Sequence, residues 1–451
     1  MAYVAPRSLV GTVDDLRAGR MDLHAHVDAC CDRVDRLDPV LRALVPEAGR
    51  RDRLHAAADA LLGRHPDPER RPPLFGALVG VKDVLRVEGL PTGGGSELPQ
   101  EELDGSESAV VTALRLAGAL VLGKTRTAEL AYAAPGPTRN PHDPSRTPGG
   151  SSHGSAAGVA AGFCPLALGT QTIASVMRPA AYCGVVGYVP THGRIATRQL
   201  LFVSRSLDRV GLFAADVASM ALAASTLVTR WRRARGRRRP ALGVADGPFL
   251  DHVEPAAREL FEQQLQALAA AGYRLRRVSV FPDAAALTAS LRRLVNGELA
   301  RGHAELFERH RDRYRPQTAA GIQAGLLLDE RQLAADRRAA LERRRQVEAQ
   351  RRAAGIDVWV SPAACGPAPE GIGSSGAPWL SVPWSYVGLP AVALPAGTVG
   401  GLPVALQLIG GWEADEQLLR WSTGIAAAVG QPAVPAAPLA EGELVEEFRW
   451  Y

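Results

Sequence analysis

The chain has 451 residues, 46% hydrophobic and 22% charged, enough for a large buried core and too apolar for a disordered chain. Its formal charge of +5 is modest, and no stretch reaches the ~18 to 20 apolar residues that a membrane helix needs. The five cysteines, Cys30, Cys31, Cys164, Cys183 and Cys365, form no CxxC and no Cys/His spacing suited to zinc, so free thiols and no metal are expected.

The first residues, MAYVAPRSLVGTVDD, lack the basic-then-apolar pattern of a secretory signal, which points to a cytoplasmic protein. Residues 11–64 read as helical, with Leu16, Leu23, Val27, Cys31, Val34 and Leu37 at helical spacings. After a Pro-rich break at 65–73, GALVGVKDVL reads as a buried strand ending near Lys82. VVTALRLAGALVLGKT reads as helix then strand. Residues 138–154 hold too many Pro and Gly for regular structure. SAAGVAAGFCPLALGT reads as a small-residue helix leading into a strand.

RWRRARGRRRP, 230–240, is the densest basic cluster. It lies between an apolar helix and an apolar strand and has one aromatic, Trp231, so it reads as a solvated connector and no nucleic-acid partner is expected. ALGVADGPF follows as strand and turn, and PAARELFEQQLQALAAAG as an amphipathic helix stopped by Gly272. YRLRRVSV alternates like a strand, 282–353 is helical and highly charged, and IDVWVSPAA, GLPAVALPAG and LPVALQLIG are three more strands. Strands alternating with helices predict an α/β fold on a mixed twisted sheet covered by helices on both faces. The expectation is one domain over 1–451, with a core at about 75–215 and a charged helical region at about 282–353.

Only two of the 52 basic residues are lysines, Lys82 and Lys124; the other fifty are arginines. A chain so committed to Arg keeps Lys where a side chain must release its proton, since a buried lysine can fall to neutral pKa and an arginine cannot. Lys124, in GKTRTAEL, reads as a strand-end lysine pairing locally with Glu129. In TPGGSSHGSAAG, Gly150 to Gly154 match a G-x-S-x-G elbow, but the preceding NPHDPSRTPG cannot be the strand that elbow requires. His153 and Cys183 have no partners in the sequence that mark them as base or nucleophile.

Lys82, Ser151 and Ser175, the second serine 24 positions after the first, fall within GVKDVLRVEGLPTGGGS, NPHDPSRTPGGSSHGSAAGVAAG and LALGTQTIASVMRPAAYCGVVGYVPTHGR. With GKTRTAELA, SLDRVG, PWSYVGLPAVALPAG and GLPVALQLIG, these stretches resemble the amidase signature family over roughly residues 10–425. The resemblance implies a Ser–Ser–Lys triad: Ser175 as nucleophile, Ser151 as the bridging serine after a cis peptide at Gly150, and Lys82 as base. It implies an oxyanion hole of backbone N–H groups at Thr172, Ile173 and Ala174, no cofactor or metal, and hydrolysis of a small linear amide through an acyl-Ser175 intermediate. The alternatives are an amide-forming acyltransferase, an amidotransferase A-type subunit releasing ammonia from glutamine for a partner, and a catalytically silent scaffold. Oligomeric state, including a homodimer, is left open.

Ile173 and Ala174 stand where family members commonly carry two glycines, Gln171 where many are acidic, and Arg178 one place later than usual. Either the turn keeps ordinary backbone angles or the oxyanion pocket is altered. The acyl pocket is expected to draw on 282–353 and 362–386, with Trp379, Trp384 and Tyr386 as candidates to face the substrate.

Overall fold

The computed structural model describes residues 3–236 and 238–430. Position 237 of the arginine cluster and residues 431–451 of the expected domain lie outside them.

The helices are α1 (Leu9–Arg17), α2 (Leu23–Leu41), α3 (Arg50–Arg64), α4 (Gln100–Leu103), α5 (Ala109–Leu116), α6 (His153–Ala160), α7 (Met177–Cys183), α8 (Val217–Leu227), α9 (Pro255–Ala270), α10 (Ala284–Arg309), α11 (Pro316–Leu326), α12 (Glu330–Ala353), α13 (Val382–Val387) and α14 (Asp415–Val429). The strands are β1 (Leu78–Lys82), β2 (Leu120–Thr125), β3 (Leu166–Gln171), β4 (Val186–Val189), β5 (Arg209–Ala214), β6 (Ala241–Asp246), β7 (Arg274–Ser279), β8 (Val358–Pro362), β9 (Ala391–Val399) and β10 (Leu402–Ile409).

All ten strands form one sheet in the order β2-β1-β3-β5-β4-β9-β10-β8-β6-β7. The pairs of β1 with β2 and β3, and of β6 with β7 and β8, are parallel; β3 with β5, β4 with β5 and β9, and β10 with β8 and β9 are antiparallel. The fold is therefore the mixed α/β sheet expected. The first five strands are neighbours on one side, which keeps the signature stretches contiguous in space.

β1, β2, β3 and β5 are buried along their whole lengths. Their mainly apolar or small sequences, interrupted by polar residues such as Lys82, Lys124, Gln171 and Arg209 toward the strand ends, fit strands covered on both faces. α6 is made mostly of small residues, and all eight of its residues are buried. A Cβ at Gly154 would stand 2.3 Å from the Ala43 carbonyl oxygen, so this helix can only approach its neighbours as glycine. At the far edge, β7 is largely exposed and carries Arg274, Arg276 and Arg277, charges that discourage another strand from adding there. No helix of the described residues is long and apolar enough to cross a membrane.

The structure adds three features to the sequence reading. The helical stretch 11–64 is divided into three helices by turns at 18–22 and 42–49. β5 begins inside SLDRVG, where Asp208 and Arg209 are buried polar residues that disguise the strand. α14 places a fully buried carboxylate, Asp415, against the end of β4. Asp415 accepts from Tyr188 Oη at 2.6 Å, Thr191 N at 2.8 Å, Thr191 Oγ1 at 2.7 Å and Arg194 Nη1 at 3.1 Å.

Four donors converge on that carboxylate; Arg194 also pairs with Glu416 at 2.8 Å, so removing Asp415 leaves the guanidinium a counter-ion but strands a buried phenol and a backbone N–H. Asp415→Ala is expected to cost about 2 to 4 kcal/mol of stability, from the buried donors left unpaired, and to lower the thermal midpoint, read by circular dichroism melts. A loss below about 1 kcal/mol, the level of an exposed pair, would contradict this.

Candidate active site

Lys82 closes β1 at the centre of the parallel part of the sheet, and its side chain is fully buried. Its Nζ lies 2.8 Å from Ser151 Oγ, 2.7 Å from Thr170 Oγ1 and 3.4 Å from the Thr170 carbonyl oxygen. None of these partners is charged. Burial therefore lowers the amine to about 7, opposed by the charge of Asp208. Asp208 is itself buried and pushed up to about 6 by desolvation, against hydrogen bonds from Thr172 Oγ1 (2.5 Å), Ser204 N (3.1 Å) and Val203 N (2.7 Å).

Ser151 sits in the Pro- and Gly-rich loop that leads into α6. Gly149 adopts a left-handed φ of 78° and the Gly150–Ser151 peptide bond is cis. Arg178, on α7, donates from Nη2 to the Gly150 carbonyl at 2.7 Å and from Nη1 to the Gly376 carbonyl. One buried guanidinium thus ties α7 to two loops, which accounts for the arginine three residues after Ser175.

Ser175 lies in the turn between β3 and α7, at the wall of a cavity of about 400 Å³. The structure brings Lys82 and Ser151 into contact, but it draws no hydrogen bond to Ser175 Oγ among the described residues. The Ser175 carbonyl accepts from Ser152 N at 3.3 Å, which fixes the two serine loops to each other.

Gln171 holds the turn. Its Oε1 accepts from Val176 N at 2.8 Å and Met177 N at 3.0 Å, and its Nε2 donates to Ser385 Oγ at 3.1 Å. A carboxylate could make the first two bonds but not the third. Ser385 Oγ in turn donates to the Ile173 carbonyl at 2.5 Å. The backbone N–H groups of Thr172, Ile173, Ala174 and Ser175 find no acceptor among the described residues. Neither Ile173 nor Ala174 has a positive φ. The turn therefore keeps ordinary backbone angles, and a β-branched residue is tolerated where glycines are common. The Ile173 side chain lines the cavity.

Lys124 is corrected by the structure. It pairs with Asp83 at 2.8 Å and donates to Thr92 Oγ1 at 3.0 Å and the Pro91 carbonyl at 3.3 Å. Glu129 instead accepts the backbone N–H of Arg315. His153 is buried, bonded through Nδ1 to Thr138 Oγ1 at 2.8 Å, and driven to about 3 by desolvation; it does not line the cavity. Cys183 is fully buried, which pushes its thiol far up. Of the three aromatic candidates, Trp379 lines the cavity, stacked on His252 at 5.0 Å. Trp384 packs in the core against Phe249, Phe281 and Trp359, and Tyr386 bonds to Ser290. Both expected regions reach the cavity, through Thr288 to Gln317 and through Gly373 to Val382.

Sequence reasoning missed Asp208, Thr170 and Ser385. Asp208 was in view inside SLDRVG. Thr170, five places before Ser175 on β3, was marked only by being polar in a buried strand. Among the described residues no cluster of three or more His, Cys, Asp or Glu is placed to hold a metal ion.

Comparison with known proteins agrees with the fold. The family model described as Amidase matches residues 25–419. The A-type subunit of the glutamyl-tRNA(Gln) amidotransferase of Thermus thermophilus is 33% identical over 456 residues, covering 91% of this chain and 94% of that protein. A crystal structure described as an amidase superposes with a TM-score of 0.84 at 30% identity, covering 94% of this chain and 100% of the other. A native peptide amidase from Stenotrophomonas maltophilia gives a TM-score of 0.81 at 25% identity, covering 94% and 97%.

Two lysines make the protonation state directly measurable. Lysine labelled with ¹³C at Cε gives two resonances, one of which Lys82→Met deletes. That resonance is expected to titrate near 7. Lys124, whose burial is opposed by a contacting carboxylate, is expected to titrate higher. Asp208→Asn is expected to move the Lys82 midpoint down, because the aspartate charge holds it up. A Lys82 midpoint above about 9 would remove the case for a neutral amine.

Proposed function

The chain belongs to the amidase family, and from that premise we propose that it cleaves a carboxamide C–N bond through an acyl-Ser175 intermediate, using Lys82, Ser151 and Ser175 as its triad. The observation that carries this reading is the uncharged setting of Lys82, an amine near 7 at 2.8 Å from Ser151 Oγ.

A serine hydroxyl is a weak nucleophile until a neighbour takes its proton. Neutral Lys82 accepts the Ser151 proton as Ser151 accepts that of Ser175. Ser175 Oγ forms a bond to the amide carbonyl carbon, and the π electrons move to oxygen. The unpaired N–H groups of Thr172 to Ser175 are the donors for that oxyanion, each worth about 3 to 4 kcal/mol in comparable sites. On collapse the C–N bond breaks, and the leaving nitrogen takes the proton back from Lys82 through Ser151. Water then attacks the ester of Ser175 by the same proton route and releases a carboxylic acid. The single sheet running from β2 to β7 supports treating the described chain as one domain.

A second reading is favoured by the 33% identity to an amidotransferase A-type subunit over nearly both full lengths. In it the ammonia set free from the amide passes to an acceptor on a partner protein. The two readings share every step up to acyl-Ser175. Ammonia release from glutamine and from uncharged primary amides, by the chain alone, separates them: efficient turnover alone favours the hydrolase.

Ser175→Ala and Lys82→Arg are each expected to lower turnover of a primary amide by at least about 10⁴-fold while leaving the fold intact. A fluorophosphonate is expected to label Ser175, located by peptide mass spectrometry. In the parent, kcat/KM is expected to rise as pH passes through about 7, because only the deprotonated amine acts as base. Near-parental activity in Lys82→Arg would sink the assignment of the base.

A further inference from the structure

The cavity at Ser175 has an unbalanced charge. The charged side chains in its wall are Arg178 and Arg292; no aspartate or glutamate lines it. Arg178 is committed, since both of its terminal nitrogens donate to backbone carbonyls. Arg292 is not.

α10 carries four arginines. Arg293 pairs with Asp336 at 2.6 Å, Arg301 with Glu330 at 3.1 Å, and Arg309 with Glu102 at 2.5 Å. Arg292 has no carboxylate within ion-pair distance among the described residues. The one arginine of the helix left without a counter-ion is the one that faces the cavity.

Its position follows from the helix period. Thr288, Arg292 and Asn296 are four residues apart, so they share one face of α10, and all three line the cavity. Asn296 Oδ1 accepts from Tyr132 Oη at 2.7 Å, which orients the amide and leaves its NH₂ to donate. Burial raises the Tyr132 phenol and the Arg292 charge pulls it back, so the guanidinium acts on the cavity wall. Arg292 is exposed to solvent. A ligand filling the cavity would take water away from it and strengthen any charge-assisted hydrogen bond it makes.

We propose that the amide this site takes carries a carboxylate, which pairs with the Arg292 guanidinium on the Thr288–Asn296 face of α10 while the amide carbonyl lies at Ser175. The placement of the carbonyl rests on the acyl-serine reading; the placement of the carboxylate does not.

The test is affinity, so that it stands apart from turnover. The full chain carrying Ser175→Ala is titrated calorimetrically with succinamate, glutaramate and adipamate, and with the methyl ester of each. These span a range of distances between carboxylate and amide. At least one acid is expected to bind about tenfold tighter than its ester, as for a guanidinium–carboxylate pair. Adding Arg292→Gln is expected to remove that preference with little change for the ester, and Arg292→Lys to retain part of it. The preference should shrink as salt is raised. If no acid outbinds its ester, or if the preference survives Arg292→Gln, the proposal is overturned. Full turnover by Ser175→Ala would instead strike the acyl-serine reading and leave the binding result standing.

Discussion

The site depends on the desolvation of one amine. Lys82 is carried into the centre of the sheet by a strand that is buried throughout, and the oxygen atoms it meets there belong to Ser151 and Thr170. Each is a dipole; none is a charge. A fully charged ammonium in such surroundings is costly, and the amine responds by holding its proton less tightly. Asp208 sets the limit, because its charge acts on Lys82 without touching it. A direct carboxylate contact would keep the proton on; no carboxylate nearby would push the pKa lower still. The arrangement places the amine close to neutrality, where an acid–base group works in both directions.

Around that amine, polar side chains fix the loops that secondary structure cannot. Arg178 joins the Gly150 carbonyl to the Gly376 loop, Gln171 caps the start of α7, and Ser385 pins the Ile173 carbonyl. Together these bonds hold the 172–175 turn from both sides while its N–H groups point to no protein acceptor. The position of the donors is set by Gln171 and Ser385, not by glycine flexibility. The Ile173–Ala174 pair therefore alters the shape of the cavity wall more than the backbone that would receive an oxyanion.

Most of the strands and the long helices were legible because their signals are local: apolar runs for β1, β3 and β8, and helical spacing with a glycine stop for α9. The rarity of lysine marked Lys82 and Lys124 together, and only the family resemblance separated them. What could not be read was long-range pairing of buried polar groups. Asp415 lies 221 residues from Arg194, and Ser385 lies 214 residues from Gln171. No periodicity connects such positions, since they meet only when the sheet closes. The same holds for Arg292. In the sequence it is one of fifty arginines, and its lack of a counter-ion is visible only once Asp336, Glu330 and Glu102 have taken its neighbours on the helix.

Lys124 shows that retaining lysine has two separate physical causes. It is nearly as buried as Lys82, and its neighbours also supply three oxygen atoms: Asp83, Thr92 and Pro91. An ammonium has three donors, so the count closes; a guanidinium brings five N–H groups and would leave some unpaired in a buried site. One of the three acceptors is a carboxylate, and it opposes the effect of burial. Asp83 also accepts from Gly93 N, and the Gly94 carbonyl accepts from Leu130 N, so the pair anchors the segment that leads to Ala131 at the cavity wall. Lys124 fits its site by the number of its donors; in the proposed mechanism Lys82 fits its own by the proton it can release. The difference between them is a single contacting carboxylate.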